Sequence, residues 1–203
     1  MKGWLAGMVM LVALVGCGGI PPLPQEIFIR LTPTASPSNA VRFPAGVAWR
    51  VAPFHGSGIH KERALAYTRD HGYSLQQQSR IFWLDSPERL LQATLAAYLR
   101  AGADASVTTE RSSGAGLEVF GVIQRFEQDL SEDQVALDAG LVIELRRQPS
   151  GRLLFTKEYR VRQPTSDATA LHAATAMSEA VAQIYAQFAA DAAAALKSDV
   201  TSE

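Results

Sequence analysis

Residues 117–162 limit the fold most tightly. Leu117–Asp129 reads LEVFGVIQRFEQD and places Leu117, Val119 and Gly121 on one face of a strand. The alternation slips near Gly121, where a bulge is expected. Gln134–Arg147 reads QVALDAGLVIELRR and ends with Val142, Glu144 and Arg146 alternating against Ile143, Leu145 and Arg147. Gln148-Pro-Ser-Gly151 is a hairpin turn, and Arg152–Arg162 returns with Leu154, Thr156 and Glu158 opposite Phe155, Lys157 and Tyr159. The short linker at Ser131-Glu-Asp-Gln134 closes the other hairpin, so this stretch folds as a three-strand meander.

The rest of the chain must cover one face of that meander. Shorter strands are predicted at Glu26–Leu31, Val47–Val51, Ala64–Thr68 and Tyr73–Trp83, with turn-rich loops at 32–40 and around Gly56-Ser-Gly58. Ser86-Pro87-Glu88 starts a helix: the serine accepts from free amides, proline fits the first helical position, and the carboxylate suits the positive end of the dipole. Leu91, Leu95 and Tyr98 follow at helical spacing, flanked by Leu90, Thr94 and Leu99, and Gly102 is the stop. A long alanine-rich helix is predicted over Asp167–Lys197. Leu171, Ala174, Met177 or Ser178, Val181, Ile184 or Tyr185, and Phe188 form its apolar stripe. The predicted class is α+β: a two-layer sandwich in which a mostly antiparallel sheet carries two main helices on one face. The other face is left polar or free to bind.

The N-terminus belongs to no such layer. Lys2 precedes an uncharged apolar run from Trp4 to Gly16, too short for a spanning helix of about 20 residues and typical of an export signal. The run ends Leu14-Val15-Gly16-Cys17, an aliphatic residue, a variable one, a small one and the only cysteine of the chain. This resembles the bacterial lipobox, whose thiol takes a diacylglycerol. On this reading residues 1–16 are a lipoprotein signal peptide and 17–25 an acylated cysteine and flexible tether, GGIPPLPQ. Residues 26–198 are the folded domain. Gly18 stands where, in lipoproteins generally, an aspartate would retain the protein in the inner membrane, so the periplasmic face of the outer membrane is expected.

With sixteen residues removed from 203, the mature chain has 187. Lys2 is lost from the 19 basic residues, leaving a net charge of −2, no footprint for nucleic acid. A lone cysteine excludes a disulfide framework, so the domain relies on its core. Catalytic and metal constellations are not evident. His55, His60, His71 and His172 lack zinc-ligand spacing, and the first two read as solvated loop residues. Gly56-Ser-Gly58 is neither a nucleophile elbow nor a phosphate loop. The expectation is a protein that is not an enzyme and uses no cofactor or metal.

Tyr67, Trp83 and Pro87 stand out around a strand-to-helix corner. The ordinary reading buries Trp83 and Tyr67 beneath the first helix; left exposed, they would be candidates for binding a partner. Ala64-Leu-Ala-Tyr67, Tyr73-Ser-Leu75 and Arg80-Ile-Phe-Trp83-Leu-Asp-Ser-Pro87-Glu-Arg-Leu-Leu91 resemble the auxiliary lipoproteins of ABC-type transporters, the group that includes the paraquat-inducible lipoprotein. In that family a tyrosine near a short strand precedes a tryptophan, followed four residues on by the proline that opens the first helix. The resemblance implies a lipid-anchored subunit whose partners are a periplasmic protein with mammalian-cell-entry (MCE) domains and an ABC transporter complex moving lipid between membranes. It leaves room for a homo-oligomeric ring. Cys17 is the one functional position it carries over. The competing expectation is a lipoprotein partner of lipopolysaccharide assembly or of peptidoglycan-synthase activation; a solute-binding or enzymatic lipoprotein is a third.

Overall fold

The three meander strands form where expected in a computed structural model that describes residues 25–34, 43, 47–102, 106–110, 114–131 and 134–201. In chain order the strands are β1 (Ile27–Ile29), β2 (Trp49–Val51), β3 (Ala64–Thr68), β4 (Gln76–Trp83), β5 (Val107–Thr108), β6 (Leu117–Asp129), β7 (Ala136–Arg147) and β8 (Arg152–Pro164). Two helices, α1 (Pro87–Gly102) and α2 (Ala170–Thr201), complete the fold, with a short 3₁₀ turn at Gly58–Lys61.

The long β6 organises the sheet. Antiparallel β7 runs along one side and β8 pairs beyond it. On the other side β6 is shared: its first residues take β2 in parallel, and β2 takes β5, while its last residues take β3 in parallel. Strand β4 then pairs antiparallel with β3 and parallel with β1. The sheet is therefore mixed, with the long antiparallel ladders on one side of β6 and the short ladders, mostly parallel, on the other. The two-residue β5 carries no periodicity and was not predicted. The bulge lies at Ile123–Arg125, not at Gly121. Gly121 instead makes a slot for Phe54, because a Cβ there would stand 2.1 Å from the Phe54 ring. The predicted Tyr73–Trp83 strand starts only at Gln76; Tyr73 lies in a turn and is almost fully exposed.

Alternation along the meander separates the two faces. Leu117, Val119, Ile123, Leu141, Ile143, Leu145 and Tyr159 are buried on the face toward the helices. From α1, Leu91, Leu95 and Leu99 meet them, and from α2, Met177, Val181, Ile184, Tyr185 and Phe188. The helices are joined where the Tyr185 hydroxyl donates to the Leu91 carbonyl at 3.0 Å, with the Thr94 hydroxyl 2.9 Å away. Asp191 fixes α2 to β8 by accepting from the Tyr159 hydroxyl and the Lys157 ammonium, both at 2.8 Å. Near the end of α2, Asp199 pairs with Arg147 and Arg152 across the β7–β8 turn. The predicted stripe holds except at Leu171, which is 71% exposed: it lies in the first turn of α2, ahead of the packed run that begins at Ala173. No helix among the described residues is long and apolar enough to cross a membrane.

Candidate functional site

Cys17, the predicted lipid-attachment residue, lies outside the described residues. The other three predicted positions sit at one corner. The Ser86 carbonyl accepts from the Arg89 and Leu90 amides and begins α1, and Pro87 follows as its first residue. Glu88 does more than complement the helix dipole. Its Oε1 accepts the Gly56 amide at 2.7 Å and clamps the 52–57 loop to the helix start. Trp83 is 1% exposed, with its ring 5.0 Å from that of Phe126. The Trp83 amide donates to the Arg63 carbonyl at 2.6 Å, and the Arg63 Nε donates back to the Trp83 carbonyl at 3.2 Å. Pro87 is buried too. Trp83 and Pro87 thus form the hinge between sheet and helix, and neither presents a surface. Tyr67 is half-buried at the sheet margin. Its hydroxyl donates to Gln76 Oε1 at 2.6 Å, and the Arg69 guanidinium lies 5.4 Å from its ring centroid.

The sheet face opposite the helices is largely polar, with Phe120 and Val122 of β6 partly exposed on it, and its central charges are buried. Glu127, Asp129 and Asp138 all lie under about a tenth exposed. Each is neutralised by a nearby cation, as buried carboxylates must be. Glu127 accepts from His60 Nε2 at 3.0 Å, from Arg125 at 3.1 Å and from the Phe126 amide at 2.7 Å. Asp138 takes two bonds from Arg160, at 3.0 and 2.5 Å, which raise that guanidinium's pKa. Asp129 pairs with Arg162 and accepts the Ser131 amide at 2.9 Å. Burial opposes ionisation of Asp129, yet the bonds from Ser131 and Arg162 outweigh it and bring the carboxyl down to about 2.

A cavity of about 150 Å³ opens over this layer between Thr68, His71, Gly72 and the guanidiniums. The layer corrects one histidine assignment. His60 is not a solvated loop residue; the 3₁₀ turn holds it buried on Glu127, while His55 stays exposed. Nothing local could have paired them, since 67 positions separate the two. His71 is exposed, with a left-handed backbone at the β3–β4 turn, and His172 contacts Asp167 at 2.7 Å. Among the described residues, no three His, Cys, Asp or Glu side chains are grouped to hold a metal ion.

A second concavity, of about 380 Å³, lies at the β1–β4 margin between Phe28, Phe82, Arg63, Glu26, Glu62 and Gln77.

The strand, corner and helix pattern over residues 61–189 matches the model of the ABC-type transport auxiliary lipoprotein component family. The chain belongs to that family. Membership makes it an auxiliary lipoprotein of ABC-type transport and thereby supports a membrane-anchored protein. Among solved structures, protein XCC0632 from Xanthomonas campestris is 16% identical over 88% of this chain and 99% of its own, with a TM-score of 0.75. An uncharacterized protein is 12% identical over 85% and 99%, with a TM-score of 0.61. At these identities the similarity is one of fold. A PelC dodecamer from Paraburkholderia phytofirmans matches more loosely, at 15% identity over 68% of this chain and 91% of that one, TM-score 0.41. No curated protein matches the chain in sequence.

Proposed function

We propose that this family member is an auxiliary lipoprotein anchored through Cys17 at the periplasmic face of the outer membrane. There it docks an MCE-domain conduit served by an ABC transporter in lipid movement between the membranes. It acts by binding, without turnover. The observation that carries this reading is the family match over 61–189, which spans the corner, the meander and most of α2. The N-terminal signal ending at Cys17 supports the anchor. Residues 18–25 reach about 25 Å at roughly 3.1 Å each when extended, which keeps the domain near its bilayer. Confinement there raises the effective concentration of a partner arriving from the inner membrane, so a weak interface suffices. Of the three corner residues, Tyr67 is the one whose side chain a partner can reach. Crosslinking in the native envelope followed by affinity recovery tests the proposal: an MCE-domain subunit among the products supports it. Recovery of lipopolysaccharide-assembly or peptidoglycan-synthase components alone replaces it.

A further inference from the structure

The chain enters the fold at the β1–β4 margin, and that margin carries uncovered apolar side chains. Ile27, Phe28 and Leu84 are 47, 50 and 48% exposed. In the parallel register Phe28 stands beside Phe82, with ring centroids 5.8 Å apart. Leu84 directly follows β4, and its amide donates to the Ile29 carbonyl at 2.9 Å, which carries the ladder one residue further and sets Leu84 opposite the buried Trp83. Phe28, Phe82 and Leu84 thus form an apolar strip on the side away from Trp83 and the core. The Arg63 guanidinium lies over the Phe28 ring, 5.4 Å from its centroid, and its Nε is held by the Trp83 carbonyl.

Residues 1–24, which lie outside the described residues, lead into Gln25 and Glu26, next to Ile27. If the anchor is at Cys17, only eight tether residues separate the lipid from the domain, so this margin is the part of the fold held nearest the bilayer. The charges around the strip are mixed and nearly balanced, Glu26 and Glu62 against Arg63 and the neighbouring Arg30 and Arg80. That balance does not select an acidic or basic partner. Aromatic rings beside an arginine suit the boundary between headgroups and acyl chains, where rings bury an apolar body and the guanidinium stays with phosphate. Three partly exposed apolar side chains would hold a free protein to a membrane only marginally. For a tethered domain, the contact is intramolecular and a small gain fixes orientation.

We propose that the Phe28–Phe82–Leu84 strip, with Arg63, rests on the phospholipid surface of the bilayer that holds the anchor. The domain is thereby oriented with its β8 edge and the β7–β8 turn away from the membrane. This rests on the anchored-lipoprotein reading above.

The test uses the full chain purified with its lipid and reconstituted in phosphatidylethanolamine/phosphatidylglycerol vesicles. A photoreactive benzoylphenylalanine replaces Phe28, Leu84 or Ser150 in turn. Ser150 lies in the β7–β8 turn, at the far side of the sheet, five strand spacings or about 24 Å from β1. After flotation and irradiation, phospholipid adducts at positions 28 and 84 and none at 150 are the expected result. Flotation without adducts at 28 and 84 overturns the docking and leaves the anchor standing. Equal adducts at all three positions, or crosslinks from 28 and 84 only to a second copy of the chain, overturn it as well. Loss of flotation, with an unmodified N-terminal peptide in the mass spectrum, overturns the anchor and the docking together.

Discussion

Gly121→Ala should destabilise the domain, and removing the Phe54 ring should abolish that effect. Strand β6 brings Gly121 onto the core face, and the segment after β2 lays Phe54 across it. The His55 amide donates to the Gly121 carbonyl at 2.8 Å, and the Ile123 amide donates to the His55 carbonyl at 2.9 Å. The two backbones are therefore pinned on both sides of the contact. An added Cβ would meet the Phe54 ring at 2.1, 2.2 and 2.7 Å, so the ring must retreat by more than 1 Å to reach ordinary contact. Phe54 is 2% exposed and has little space to enter. Overpacking of this kind costs about 1–3 kcal/mol, against which alanine recovers only about 0.4–1 kcal/mol of backbone entropy. Phe54→Ala alone should cost about 3–5 kcal/mol as a core phenylalanine truncation. In that background the new methyl enters vacated space, and Gly121→Ala should be neutral or mildly stabilising. Urea unfolding of the four proteins, followed by circular dichroism, gives the coupling directly. A Gly121→Ala cost below about 0.5 kcal/mol, the level of a surface change, would refute the slot, as would full additivity of the two substitutions.

Other outcomes follow from the same contacts. Leu95→Ala should cost about 2–5 kcal/mol in urea unfolding, since the side chain is fully enclosed between helix and sheet. Asp129 has its folded pKa lowered to about 2 from an ordinary value of 3.8. Its stabilising contribution is thus complete above about pH 4 and lost as pH falls toward 2, so the stability gap between wild type and Asp129→Asn should close over that interval. Cys17→Ala should leave the unfolding midpoint unchanged while releasing the chain from membranes, read by fractionation and by mass spectrometry of the N-terminal peptide. Tyr67→Ala should lower recovery of the transport partner while the domain stays folded, whereas Trp83→Ala should cost about 3–5 kcal/mol and lower both recovery and stability.

The meander was legible because alternation over Leu117–Asp129 and Arg152–Arg162 can be satisfied only by strands with one buried face. Both helices were legible for the matching reason at helical period, and Pro87 and Gly102 marked the ends of α1. The parallel pairings of β1, β2 and β3 were not legible. Ladders of two or three residues carry no period, and their partners lie far along the chain. Gly121 shows how one residue supports two readings: glycine in a strand signals either a bulge or a close approach, and only the position of Phe54 decides. The corner was recognisable as a motif, but whether Trp83 faced out or in depended on Phe126, which arrives from β6. The ionic layer on the opposite face was invisible for the same reason. His60 and Glu127 are brought together only when the 3₁₀ turn packs against β6.

We propose that this lipoprotein is a binding subunit of an MCE-linked transport system at the outer membrane. The most direct measurement is crosslinking of the acylated chain in intact envelopes, followed by affinity purification and peptide identification. Parallel samples carry Cys17→Ala and Tyr67→Ala. The expected result is an MCE-domain periplasmic subunit in the wild-type sample, reduced in both variants while the domain stays folded. Products confined to lipopolysaccharide-assembly or peptidoglycan-synthase proteins, or an MCE-domain subunit recovered equally without the anchor, would contradict it.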